Sequence, residues 1–160
     1  MTLTLPGMLP IRNLIEDLLG RDVGIELADP IVAADVPKTV IALYVDRGQR
    51  LAAVLGMDLP LAAYAGAALG LMPAGGAEAA IEDGELSPVL AENVHELCNI
   101  LSTVLNREEG THVRLHEVYL PGYPPPPDAR SHLLALGRRL DVTLTISRYG
   151  AGRLSIALAG

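Results

Sequence analysis

The residues best suited to chemistry in this chain crowd into one short stretch, Glu92-Asn93-Val94-His95-Glu96-Leu97-Cys98-Asn99, with Thr103 one turn further on. If residues 88–106 are helical, 100° per residue gathers Glu92, Glu96, Asn99 and Thr103 into one narrow stripe. The stripe lies roughly opposite a face made of Leu90, Val94, Leu97, Cys98, Leu101, Val104 and Leu105. A solvated helix face is the ordinary explanation for such a stripe. The residue types argue for more. Asn is a poor helix former at a position where Gln or Lys would serve solubility better. The two carboxylates, four apart, repel one another with no Lys or Arg on the stripe to offset them. Acids that can meet a cation, beside an amide that donates and accepts without charging, suit a docking or water-orienting surface.

Other reactive types offer less. His95 lies about 100° around the helix from Glu96, on a shoulder rather than on the stripe. His112 and His116 flank Arg114 on a predicted strand, and four histidines with one cysteine give no metal-ligand spacing. Cys98 falls on the buried shoulder of the helix, where a small apolar filler is the default. Gly48, Gly150 and Gly152 read as hairpin turn glycines, and no phosphate-cradling glycine motif occurs. Arg138-Arg139 at a helix end reads as dipole compensation, and no Ser–His–Asp order is supported.

The elements that must position the stripe follow from periodicity and punctuation. Ser87-Pro88 is an N-cap followed by a first-turn proline, so a helix starts there and runs to about Asn106. Ahead of it lie a helix over 10–20 stopped by Gly20, a strand over 22–27, and a hairpin of 39–45 with 50–57 turning at Asp46–Gln49. An Ala/Gly-rich helix over 61–72 follows, with Gly66 and Gly70 on one side to allow close approach to a neighbour. Residues 73–85 read as a Pro/Gly/acidic connection. After the central helix come a strand over 112–120 stopped by Pro121, a proline tract over 124–127, a short helix to Gly137 capped by Asp128, and a hairpin of 140–147 with 153–158. The sum is a single α+β domain, with hairpins building a largely antiparallel sheet covered by long helices. Residues 1–8 read as a short N-terminal extension.

Composition sets the outer bounds. The chain has 160 residues, half of them apolar, with 28 Leu, 21 Ala and no Phe or Trp, so an aliphatic core must be built by close backbone approach. A formal charge of -7, with Lys38 the one lysine, leaves no basic groove for nucleic acid and no attraction to an anionic membrane. The uncharged run 59–77 is dominated by Ala and Gly and bracketed by Pro60 and Pro73, which favours a buried helix over a membrane span. One cysteine excludes an internal disulfide framework. The N-terminus lacks a basic region and an apolar run of signal-peptide length, so a cytoplasmic setting is expected.

The segment Glu92-x-x-x-Glu96-x-x-Asn99, with Pro121 standing 22 positions after Asn99, resembles the signature of the CheC/CheX chemotaxis phosphatases. The active helix of that family carries Asp or Ser, then Glu, then Asn, with a proline at that distance. The order of elements resembles the family's domain over about residues 8–160. The N-terminal helix has Glu16 but Leu19 where a second Asn would stand, so the chain is most similar to the single-site CheX type, commonly homodimeric.

The resemblance implies a fold, an activity and roles. The substrate would be a phosphorylated response-regulator receiver domain, CheY-like, with an acyl phosphate on its own Asp and its own Mg²⁺. This chain would bind no cofactor or metal. Asn99 would orient a water in line with the phosphorus, and Glu96 would pair with the regulator's active-site lysine. Glu92, Thr103 and Pro121 would shape the docking surface. Glu92 departs from the family by standing at the Asp/Ser position. The alternatives are a non-catalytic module of the same fold, docking a receiver domain or a flagellar-switch component, and an unrelated structural domain.

Overall fold

Two apolar runs with β-branched and aromatic residues, Thr39–Val45 (β2) and Leu51–Asp58 (β3), form the centre of the sheet because almost every residue in them is buried. The structure, a computed structural model, describes residues 3–107 and 112–159. Four more strands, β1 (Val23–Leu27), β4 (Arg114–Tyr119), β5 (Arg139–Ile146) and β6 (Gly150–Leu158), complete a six-stranded sheet in the order β1-β5-β6-β3-β2-β4. Every pairing is antiparallel.

Helices α1 (Met8–Leu19), α2 (Leu59–Leu69) and α4 (Pro88–Leu105) cover one face of the sheet, and α5 (Pro127–Leu134) lies on the other. The larger core gathers Ile11, Ile15, Leu55, Leu61, Leu97, Leu101, Leu144 and Ile156 around the buried ring of Tyr44. Ile31, Val36, Ile41, Leu43, Val54, Ala129 and Leu133 make the smaller one. The segment before α1 joins the fold, since Leu3 is buried and its carbonyl accepts from Arg138. The α+β, largely antiparallel architecture expected from the sequence is what the chain adopts.

Three local readings need correction. Residues 73–85 are not a connection: Ala74–Asp83 form α3, with Ala77 and Ala80 buried in a small-residue cluster with α2. Gly75-Gly76 lowers helix propensity there, and tertiary packing overrides it. Asp128 does not cap α5; it sits in the first turn after Pro126, which occupies the N-cap position without a side-chain bond. Gly150 opens β6 and Gly152 lies inside it, rather than both in a turn. A Cβ at Gly152 would stand 2.3 Å from the Leu61 nitrogen, so this glycine lets α2 lie directly on β6. The hairpin turn itself places Arg148 at φ 70°. A short 3-10 helix over Ala33–Lys38, containing Pro37, was not anticipated.

The small-residue reading of α2 holds. A Cβ at Gly66 would meet Val94 Cγ2 at 3.1 Å and the Leu90 carbonyl at 3.3 Å, so α2 and α4 approach closely at that point.

Candidate functional site

The helix α4 starts where the Ser87-Pro88 signal places it, with Ser87 Oγ accepting from the Leu90 N–H at 3.3 Å. Its buried residues are the seven expected from the 3.6-residue period. Three further bonds fix its position. Asn93 Nδ2 donates to the Gly66 carbonyl of α2 at 3.0 Å. The buried Tyr44 hydroxyl rises from the sheet to donate to the Cys98 carbonyl at 2.5 Å. Beyond the last turn, Asn106 exchanges two 2.8 Å bonds with the backbone of Val113, ahead of β4. A helix held at its start, side, floor and end presents its outer face as a rigid surface.

That outer face carries the stripe. Glu92, Glu96, Asn99 and Thr103 are all exposed. Among the described residues none of their side chains has a hydrogen bond or ion pair, so their valences face solvent. The nearest local bond is to the backbone, from Ser102 Oγ to the Asn99 carbonyl at 2.7 Å. The arrangement offers two carboxylates for a cation and one amide for a water, with Tyr44 anchoring the residue just before that amide.

The fold gathers the four stripe residues on one exposed helix face, and Pro121 follows β4. Cys98 sits over Tyr44, which pairs with Leu115 of β4; Pro121 lies two residues past Tyr119, the partner of Ile41. The neighbouring Gly122, at φ 91°, donates to the Pro37 carbonyl at 3.1 Å, which ties this turn to the 3-10 helix.

The remaining candidates are placed as follows. His95, His112 and His116 are exposed. Cys98 is buried, and burial pushes its thiol up to about 12, so no thiolate nucleophile is available. Among the described residues no group of three or more His, Cys, Asp or Glu side chains comes together as a metal site, and no helix is long and apolar enough to cross a membrane. A cleft of roughly 270 Å³ on the far face of the sheet is lined by Asp35, Lys38, Asp58 and Arg153. Its acids already serve the fold, because Asp58 caps α2 through Leu61 N–H at 2.9 Å and Asp35 accepts from Val32 N–H at 3.2 Å. Burial raises the Asp58 carboxyl pKa, and that bond from Leu61 together with Arg153 only partly offsets it.

Sequence reasoning missed one polar cluster. Arg139 is more than a helix-end charge: its Nε and a terminal nitrogen grip both oxygens of Asp141 at 2.8 Å, and it donates to the Leu133 and Ala135 carbonyls at the end of α5. Ser155 Oγ completes the carboxylate's shell at 2.6 Å. An Arg-x-Asp pair opening an otherwise apolar strand was the available signal, since period-two spacing puts both on one face.

No protein-family model matches the chain, and no curated protein matches it in sequence. Solved structures do match. The FliM middle domain of H. pylori is similar at 10% identity with TM-score 0.58, over 93% of this chain and 83% of that one. FliY of Thermotoga maritima is similar at 15% identity with TM-score 0.54, over 92% and 82%. CheX of Borrelia burgdorferi, solved in a complex with CheY, BeF3 and Mg²⁺, is similar at 13% identity with TM-score 0.53, over 92% of both chains. The chain has the fold shared by CheX, FliY and the FliM middle domain.

Proposed function

We propose that this protein is a cytoplasmic phosphatase that hydrolyses the aspartyl phosphate of a CheY-like response-regulator receiver domain, using the outer face of α4. The observation that carries this reading is the pairing of Glu96 and Asn99, exposed one turn apart on a helix fixed at both ends, with no intramolecular partner among the described residues. The Borrelia complex supports it, because a chain of this fold is there combined with CheY, BeF3 and Mg²⁺.

In this mechanism the metal belongs to the receiver domain, and this chain supplies position. Glu96 forms a charge-assisted bond with the receiver's lysine and sets the register of the two proteins. Asn99 then reaches the acyl phosphate, and its carboxamide holds one water in line with the phosphorus. No general base is required of this chain. Glu92 adds a second negative charge to steer the encounter, and Thr103 borders the docked surface. The single-site type also implies a homodimer, which sedimentation at working concentration tests.

The decisive experiment adds the protein to Mg²⁺-loaded, acetyl-phosphate-treated receiver domains and follows phosphate release. Acceleration that disappears in Asn99→Ala, with complex formation retained, supports the phosphatase. No acceleration on any receiver of the same organism rejects it.

A second reading is a docking module without turnover. It is favoured by Glu92 in place of Asp or Ser and by the likeness to FliM middle domains, one of them solved in a complex with FliG. This reading expects binding without acceleration, and Asn99→Ala then changes nothing.

A further inference from the structure

The turn between α2 and α3 holds a leucine where physical chemistry favours glycine. Leu71 is 81% exposed and sits at φ 55°, the left-handed region that a β-carbon disfavours. Its surroundings force this geometry. The Met72 N–H bonds the Ala67 carbonyl at 2.8 Å and the Leu71 N–H bonds the Ala68 carbonyl at 3.2 Å, the bond pair of a Schellman cap. Such a cap places its left-handed residue at Leu71. Gly70, one position earlier, has ordinary φ of -88° and is kept small for another reason: a Cβ there would stand 2.5 Å from Asn93 Nδ2 on α4. On the other side, the Met72 carbonyl is held by the Tyr149 hydroxyl at 2.5 Å. The chain is pinned before and after Leu71, and the leucine is left outside.

Leu71 therefore follows directly on the residue that packs against Asn93, on the flank of α4. Measured around α4 from Asn93, Val89 lies about 40° and Glu96 about 60° to the same side, away from the buried face. Val89 is itself 55% exposed. Val89 is thus an exposed apolar side chain on the Glu96 side of the stripe, next to two acids without partners, and the exposed Leu71 stands on the turn that follows the Gly70 contact with α4. An apolar contact bordered by unpaired charge is the layout of a protein-docking surface, and an acidic border opposes an anionic membrane. Strain held in place by its surroundings is also characteristic of binding residues.

We propose that Leu71 and Val89 are the apolar anchor of the partner-docking surface, and that the partner is the receiver domain, presenting an apolar contact beside its lysine. This rests on the reading of α4 as the receiver-docking helix. The anchor acts in binding and leaves the chemistry at Asn99 untouched.

Leu71→Gly tests it cleanly, because glycine is the preferred residue at this cap. The substitution leaves Tm unchanged or raises it by about 4 °C while removing the anchor. Val89→Ala, in the first turn of α4, likewise improves helix propensity. Binding of a BeF3-activated, Mg²⁺-loaded receiver domain is measured by titration calorimetry, and turnover by phosphate release. Each substitution is expected to weaken binding by roughly fivefold to tenfold, and to raise KM with kcat unchanged. If Leu71→Gly does not fold, Leu71→Asn, which also tolerates the left-handed region, takes its place. Affinity and KM within twofold of wild type in both variants overturn the anchor and leave the phosphatase reading standing. A wild-type protein that binds no receiver overturns both.

Discussion

Asn99 and Glu96 divide the work of the proposed site, and their substitutions are expected to separate. Asn99→Ala removes the amide that holds the water while leaving the charged contact, so phosphate release should fall by about 100-fold with Kd within twofold. Glu96→Gln keeps the shape and removes the charge. Binding should weaken about tenfold, and its dependence on salt should flatten, which titrations at low and high ionic strength will read. Cys98, one residue from Asn99, is silent by design of its surroundings. With its thiol pushed up to about 12 by burial, iodoacetamide at pH 8 should leave the native protein unlabelled and label it fully in denaturant. All of these residues were legible in the sequence, because a 100° rotation sorts the helix into two faces without knowledge of anything else.

At the scale of the element, α4 acts as a platform because other elements hold it, and those attachments were not legible. Tyr44 is 54 residues from Cys98, and only the folded sheet places its hydroxyl under that carbonyl. Tyr44→Phe should cost about 1 kcal/mol in urea unfolding, the net worth of one buried hydrogen bond. The glycines divide by what stands in front of them. At Gly70 an added methyl meets the flexible end of Asn93, whereas at Gly152 it meets the Leu61 backbone nitrogen at 2.3 Å, which can move only if α2 moves. Gly152→Ala should therefore destabilise by about 3 kcal/mol and Gly70→Ala by less. From sequence, Gly152 read as a turn residue because nothing local distinguishes a glycine that bends a chain from one that admits a neighbour.

Across the whole molecule, the Arg139–Asp141–Ser155 cluster ties β5 and β6 to the end of α5, and it sets how the fold meets acid. Burial by itself would raise the Asp141 carboxyl pKa. The bonds from Arg139 and Ser155, with the charges of Arg139 and Arg153, outweigh it and hold the group below its ordinary 3.8. A folded-state pKa below the unfolded one gives stability that is present above the unfolded value and is lost as pH falls through the folded one, so this contribution fades below about pH 4. Asp141→Ala leaves the buried Arg139 charge without its carboxylate and should cost about 3 kcal/mol at pH 7, with a smaller difference from wild type at pH 3, measured by urea midpoints. The same long-range logic governs topology. Strand β1 pairs with β5 and β4 pairs with β2, joining segments over 100 and about 70 residues apart.

The sequence by itself determined the local grammar of this protein: the start and faces of α4, the central hairpin, the aliphatic composition of its core and the stripe of Glu92, Glu96, Asn99 and Thr103. Each of these depends on interactions within a few residues, where period and capping chemistry decide. Only the tertiary structure decided that Gly75-Gly76 lie in a helix, that the turn after Pro121 is tied to the 3-10 helix, and that Leu71 is held outward in a left-handed cap. Those outcomes depend on which distant groups meet, and contacts between Ala77 and α2, Gly122 and Pro37, or Gly70 and Asn93 leave no periodic trace in the chain.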